Sequence, residues 1–174
     1  MRDTEIIEAL CSKLSLPGGR HLYGVLGVYP QLKAFAKKLQ QARTLDGQSF
    51  PKPLSVNRGI LDSIPDNEFR KLVENEAKRP EPTAAHVAMA FETFLRSGLR
   101  ARKLVVLADL EMLFAYNLEL NLLRTMAADE DRIILLLPGR RSGGNIIMFP
   151  DLTEGNYTLP TNLIAGDHLW ELRG

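Results

Sequence analysis

The sequence predicts a single α/β domain in three layers, with a mainly parallel sheet between helices. Two unbroken apolar runs, Lys103–Ala108 and Arg132–Leu137, have the composition of strands buried on both faces. A helical stretch joins them, which makes a βαβ crossover. A third apolar run, His21–Gly27, is followed closely by a helix, and parallel α/β units open in this way. The chain of 174 residues falls in the size range of one domain.

The first half of the chain gives the elements around the first strand. Apolar residues at helical spacing behind Asp3 predict a helix that ends at the breaker of residues 17–19. An apolar stripe with a proline near the first turn predicts the next helix, Pro30–Arg43. Proline and glycine divide residues 44–66, where Pro53–Asn57 is the one short extended stretch and a candidate second strand.

The second half repeats the alternation of helices and strands. Prolines at 80 and 82 separate two helical patterns, Asp66–Lys78 and Thr83–Gly98, and Thr83 is the predicted N-cap of the second. Between the two long apolar strands lies a predicted helix, Tyr116–Ala128. From Ser142 the pattern changes to short extended pieces that predict an edge hairpin or a covering strand. These pieces are Asn145–Phe149, Tyr157–Leu159 and His168–Leu172.

Composition and charge point to a soluble cytoplasmic protein. No apolar run approaches the roughly 20 residues that cross a bilayer, and the first residues do not form a signal peptide. A lone cysteine, Cys11, suits a reducing compartment and lies on an apolar helix stripe, which favours a packed, inert thiol. The formal net charge of +1 provides no large field for nucleic acid or anionic lipid. We therefore expect no membrane association.

In a nucleotide-binding protein with this order of strands and helices, the turn after the first strand carries the motif GxxxxGK[ST]. That motif binds phosphate because its backbone N–H groups, its lysine charge and its magnesium-holding hydroxyl all face the ligand. Started at Gly24, the template has Gly27 at an unspecified position and puts Tyr29 at its second glycine, Pro30 at its lysine and Gln31 at its hydroxyl residue. A loop without the lysine, and with a proline that lacks N–H, has lost most determinants of triphosphate binding.

Two acids follow the apolar strand Lys103–Ala108. An apolar strand that ends in carboxylates is how such folds hold magnesium and polarise water. Ala108 occupies the place of a metal-holding aspartate, and Asp109 then falls where a water-activating carboxylate would be, with Glu111 close behind. The alternative is structural: Asp109 caps the following helix and Glu111 lies in its first turn, where the helix dipole favours acids.

Basic residues offer two further surfaces. Arg140 and Arg141 lie in a Gly-rich stretch after the strand Arg132–Leu137, where they are either phosphate ligands or part of a solvated turn. A second set suggests a basic face for nucleic acid, with a plain solvated face as the alternative. Its members are Arg96, Arg100, Arg102, Lys103, Lys33, Lys37, Lys38 and Arg43.

Recognisable metal or nucleophile chemistry is absent from the sequence. His21, His86 and His168 are scattered, with no HExxH or Cys/His spacing and no GxSxG elbow. We therefore predict no catalytic residue, no metal and no cofactor.

The order of motifs resembles that of the BrxF family, the small P-loop proteins of BREX phage-defence systems, which are related to AAA-type ATPases. In the order of its elements the resemblance covers residues 20–172. In the residues themselves it is carried by the segment Leu104–Phe114 and the tail Gly143–Pro160. It implies a P-loop NTPase fold of AAA/RecA-like type and a place in multi-subunit antiphage machinery. The positions that the family's site would occupy here are Gly24, Gly27, Asp109 and Glu111, as vestigial nucleotide-binding positions.

These observations lead to one expected function and two alternatives. We expect an assembly or regulatory subunit of a bacterial defence complex that binds other defence proteins and reaches DNA, if at all, through the complex. The first alternative is a divergent ATPase that uses Asp109 and Glu111 with an arginine from Arg140 or Arg141. The second is a DNA-binding accessory protein that uses basic groups of residues 20–43 and 96–103. The sequence leaves the oligomeric state open.

Overall fold

A computed structural model of the chain describes residues 1–75, 80–152 and 157–174. Helices and strands alternate along most of the described chain. The helices are α1 (Asp3–Leu14), α2 (Tyr29–Gln41), α3 (Val56–Asp62), α4 (Asp66–Asn75), α5 (Pro80–Ala101), α6 (Glu111–Ala115) and α7 (Asn121–Met126), with a 3₁₀ turn at Gly166–His168. The strands are β1 (Leu22–Gly27), β2 (Leu54–Ser55), β3 (Leu104–Ala108), β4 (Arg132–Ser142), β5 (Asn145–Met148), β6 (Tyr157–Thr158) and β7 (Leu169–Glu171).

Five of the strands form a parallel sheet in the order β2-β3-β4-β1-β7. β4 lies at its centre, with Ile133 opposite Leu22 of β1 on one side and Val105 of β3 on the other. The predicted α/β fold with a mainly parallel sheet is confirmed. The carboxyl ends of β1, β2, β3 and β4 meet at one edge of the sheet, called here the carboxyl edge.

Helices cover both faces of this sheet, which explains why its central strands read as unbroken apolar runs. Neighbouring residues of a strand point to opposite faces, so a strand covered on both sides buries every side chain. Val106 and Ile134 contact the core under α1 and α2, while Val105, Leu107 and Ile133 contact the core under α3 and α5. Cys11 is buried in the first of these cores, and burial raises the pKa of its thiol.

The end of β4 differs from the prediction. The stretch after Leu137 was expected to turn, but β4 continues to Ser142 and pairs with β5 in an antiparallel hairpin. The turn comes at Gly143, whose φ of +60° glycine adopts without strain. Gly139 allows the close pairing, because a Cβ there would lie 2.6 Å from the carbonyl oxygen of Ile147. The prediction of an edge hairpin after Ser142 is confirmed for β5.

Several predicted boundaries were wrong. Helix α5 begins at Pro80, so Thr83 lies inside it and is not its N-cap. Prolines at 80 and 82 are tolerated there because the first N–H groups of a helix have no partner within the helix. The helix expected over Tyr116–Ala128 is instead α6 and α7, and Asn117 with φ +51° separates them. Within the predicted extended piece His168–Leu172, only Leu169–Glu171 form β7, a parallel edge strand beside β1, and His168 ends the 3₁₀ turn. The predicted helix Asp66–Lys78 is confirmed from Asp66 to Asn75, and its expected end at Lys78 lies outside the described residues.

Within the described residues, no helix is long and apolar enough to cross a membrane.

A buried histidine lies just before β1. His21 is 2 % exposed, with Nε2 2.9 Å from the Gly18 carbonyl oxygen and Nδ1 2.6 Å from the hydroxyl of Tyr23. A carbonyl can only accept, so Nε2 carries the proton and Nδ1 accepts from Tyr23. Burial and the nearby Arg132 charge lower the pKa of His21. The ring is therefore held neutral.

This arrangement predicts a loss of stability in mild acid. The unfolded chain takes up a proton on His21 below about pH 6.5 and the folded chain does not, so the free energy of unfolding should fall as the pH drops below that value. Urea unfolding between about pH 7 and 5 measures the slope, because ordinary carboxylates stay ionised over most of that range. His21→Gln should flatten it, whereas the exposed His86→Gln should not. An unchanged slope in His21→Gln would contradict this assignment.

Candidate functional site

The carboxyl edge is the place where open parallel sheets bind ligands. Here it joins the start of α2, the start of α3 and the segment from Asp109 to α6. All four candidate positions lie on the elements that meet at this edge: Gly24 and Gly27 in β1, Asp109 just after β3, and Glu111 at the start of α6.

The turn between β1 and α2 is one residue long. Val28 alone separates Gly27 from Tyr29, and its N–H donates to Oε1 of Gln31 at 3.1 Å. The Nε2 of Gln31 donates in turn to the carbonyl oxygen of Arg173. A side-chain amide therefore occupies the N–H at the helix N-terminus where a phosphate oxygen would be bound. A phosphate loop needs several residues with free backbone N–H groups, and this turn does not provide them.

The two glycines of β1 make room for apolar side chains. A Cβ on Gly24 would lie 2.8 Å from the terminal methyl carbons of Leu137, Ile164 and Leu169. A Cβ on Gly27 would lie 3.1 Å from Leu172. Neither glycine has a positive φ among the described backbone angles. The geometry thus gives both glycines a packing role under the segment that leads to and includes β7.

A hydrogen-bonded cluster links three elements at the carboxyl edge. The hydroxyl of Tyr29 donates to Oε1 of Glu111 at 2.7 Å, and Nδ2 of Asn57 donates to Oε2 at 2.9 Å. The Oδ1 of Asn57 accepts from the N–H of Met112 at 3.0 Å. Burial, the bond to Glu111 and the nearby carboxylates of Glu111 and Asp109 raise the pKa of Tyr29, which keeps its proton. Both carboxylate oxygens of Glu111 are engaged, so the cluster fixes the ends of β1, β2 and β3 relative to one another.

Asp109 has an unusual backbone conformation and a free side chain. Its φ is +52°, a left-handed conformation that aspartate tolerates better than most residues, and its carbonyl accepts from the N–H of Asn57 at 3.1 Å. The predicted cap role was wrong: Leu110 is the N-cap of α6, because the left-handed turn places Asp109 one residue too early. Glu111 does lie in the first turn of α6, as the structural alternative predicted. The exposed carboxylate of Asp109 has no hydrogen-bond or ion-pair partner among the described residues.

The two arginines of β4 have different environments. Arg141 is tied to β7, where its Nη2 donates to the carbonyl of Leu169 at 3.1 Å and its Nε lies 3.7 Å from Glu171. Arg140 is exposed beside a cavity of 210 Å³ that Val28, Tyr29 and Asp151 also line. Only Arg140 is therefore positioned to meet a ligand or partner at the carboxyl edge.

A larger groove of 590 Å³ lies on the other side of Tyr29. Its wall is mostly apolar, with Pro30, Leu32, Ala108 and Leu136, and the Asp109 carboxylate stands at its margin. The described residues contain no group of three or more His, Cys, Asp or Glu that could hold a metal ion. The carboxyl edge thus offers a mostly apolar groove, with Lys33 and Asp109 in its lining, and a smaller cavity lined by Arg140 and Asp151.

The proposed basic face does not form one surface. Helix α2, with Lys33 and Lys37, covers one face of the sheet, and α5, with Arg96 and Arg100, covers the other. Several members are also neutralised: Lys38 pairs with Asp3, Arg96 with Glu92 and Lys103 with Glu130. The sheet therefore separates the basic residues of α2 from those of α5.

Neither Asn57 of the cluster nor Gln31 of the β1–α2 turn was singled out as functional from the sequence. Tyr29 and Gln31 were noticed only as departures from a phosphate-loop template. A polar residue just after a short strand, as Asn57 is after β2, was the one signal that would have found the cluster, since strand ends of a parallel sheet meet at one edge.

No family model, curated protein or solved structure matches the chain.

Proposed function

We propose that the protein is a non-catalytic subunit of a bacterial antiphage defence complex, that it has a P-loop-like fold with a decayed nucleotide site, and that it acts in the cytoplasm through protein–protein contacts. The decayed nucleotide site is carried by the one-residue turn at Val28, where the Gln31 amide binds the N–H at the start of α2. Such a turn leaves no cradle for a triphosphate. The place in a defence complex rests on the resemblance of Leu104–Phe114 and Gly143–Pro160 to the BrxF family.

The P-loop part of the proposal is supported by strand order. β4 lies between β1, which leads into the candidate phosphate loop, and β3, which leads into the candidate acids. AAA-type ATPases, to which the resembled family is related, also have one strand between these two. The order differs from the 3-2-1-4-5-6 and 2-1-3-4-5 sheets of the two common doubly wound folds.

The protein-binding part is supported by exposed apolar residues near the decayed site. Val28 is 44 % exposed and lines the small cavity beside Arg140. Leu152 is 59 % exposed and follows Asp151, another residue that lines this cavity. The mostly apolar groove of 590 Å³ at the same edge adds to this exposed apolar surface, and contiguous apolar surface is typical of a contact with another protein. The ATPase alternative has less support, because both oxygens of Glu111 are already bonded to Tyr29 and Asn57.

A phage-protection assay tests this function. Asp109→Asn removes the unpartnered Asp109 carboxylate and should leave protection intact, since this carboxylate has no catalytic role in the proposal. Leu152→Glu should reduce protection and co-purification with the complex, because it places a charge in the apolar contact. Both changes are at exposed positions, so the unfolding temperature should stay close to that of the wild type. Loss of protection in a folded Asp109→Asn protein would contradict the proposal.

A further inference from the structure

A further cavity, of 490 Å³, lies at the end of the sheet opposite the carboxyl edge, where β1 and β7 begin. Its polar wall consists of Arg20, Arg124, Asn162 and His168, and its apolar wall includes Leu163 and Ile164. No carboxylate belongs to this lining among the described residues. The cavity combines an apolar wall with a few convergent cationic groups, as small-ligand sites do.

The two arginines are held in place by main-chain carbonyls and not by acids. Nη1 of Arg20 donates to the carbonyl of Arg124 at 2.6 Å, and Nη1 of Arg124 donates to the carbonyl of Asn162 at 3.3 Å. Among the described residues, no carboxylate oxygen lies within 4.0 Å of either guanidinium. Each guanidinium has five N–H donors, so most of them remain available. The bonds to carbonyls position both charges without neutralising them.

His168 adds a third basic group that is already oriented. Its Nδ1 donates to the carbonyl of Leu22 at 3.3 Å, and its Nε2 lies 4.0 Å from Asp167. Asp167 is paired with Lys13 at 2.5 Å, so its charge is shared with an ammonium group and is not directed at the arginines. Arg20 and Arg124 are therefore the two cations that line the cavity.

We propose that this cavity binds the phosphate group of a small phosphorylated molecule, with Arg20 and Arg124 as its ligands and Leu163 and Ile164 in contact with the body of that molecule. Paired guanidinium groups match phosphate oxygens in geometry and charge. The cavity is concave and contributes only two arginines, whereas a nucleic-acid backbone is bound by a row of cations. This site is independent of the function proposed for the carboxyl edge.

Calorimetric titration with inorganic phosphate, phenyl phosphate and phenol tests this site. Phosphate and phenyl phosphate should both give saturable binding, the second more tightly because its ring contacts the apolar wall, and phenol should give none. Arg20→Gln and Arg124→Gln should each weaken binding about tenfold or more. Arg100→Gln, at an exposed position of α5, is the matched control and should bind as the wild type does.

Hydrogen exchange of the wild-type protein gives a readout that does not depend on the variants. Phenyl phosphate should slow exchange in residues 160–168, around the cavity. The proposal is overturned if neither phosphate compound binds at concentrations up to about 10 mM. It is equally overturned if binding survives in both arginine variants, or if the added protection lies in residues 24–31 at the carboxyl edge.

Discussion

Ile134→Ala is expected to lower the free energy of unfolding by about 2–5 kcal/mol, the usual cost of removing a large apolar side chain from a packed core. Ile134 is fully buried in the central strand β4, between Tyr23 of β1 and Val106 of β3. The neighbouring strands are fixed by hydrogen bonds, so the cavity left by the substitution cannot collapse easily. Urea unfolding, with the m-value checked against the wild type, measures the change.

The matched control for this prediction is Val73→Ala, which truncates a branched side chain that is 57 % exposed. Its effect should stay within about 0.5 kcal/mol, because no buried contact is lost. Equal effects of the two substitutions would contradict the placement of β4 at the centre of the sheet.

Gly139→Ala is expected to destabilise the protein by about 1–3 kcal/mol, as overpacking commonly does. The new Cβ would lie 2.6 Å from the carbonyl oxygen of Ile147, a main-chain atom that can move only if the β4–β5 hairpin opens. A shift in the unfolding temperature measures the effect. Gly144→Ala in the turn of the same hairpin meets no atom within 4 Å and should be nearly neutral. A neutral Gly139→Ala would show that the hairpin does not pair in this register.

The core of the fold was predictable because burial on both faces leaves a direct mark on sequence. The runs Lys103–Ala108 and Arg132–Leu137 indicated β3 and the inner half of β4, and Val105, Leu107, Ile134 and Leu136 are buried there as predicted. The outer half of β4 was missed because glycine and charged residues are typical of turns. Pairing with β5 overrides that local preference.

The candidate site was less predictable, because it depends on contacts between distant segments. Gly24 fits the first position of a phosphate-loop template and Gly27 lies inside it. Yet the side chains closest to the two glycines are leucine and isoleucine side chains from residues 137–172. The bonds that join Tyr29 and Asn57 to Glu111 cross 82 and 54 residues of chain. No local pattern encodes such separations. A nucleotide-binding role for Gly24, Gly27, Asp109 and Glu111 stays a prediction.

Calorimetric titration with ATP, ADP and a non-hydrolysable analogue, with and without magnesium, tests the decayed nucleotide site most directly. It is best done on the Arg20→Gln/Arg124→Gln protein, so that phosphate binding at the opposite edge does not contribute heat. We expect no saturable, magnesium-dependent binding, because the Gln31 amide already binds the N–H that a phosphate would need. Saturable binding that requires magnesium and is lost in Asp109→Asn would contradict it and would favour the ATPase.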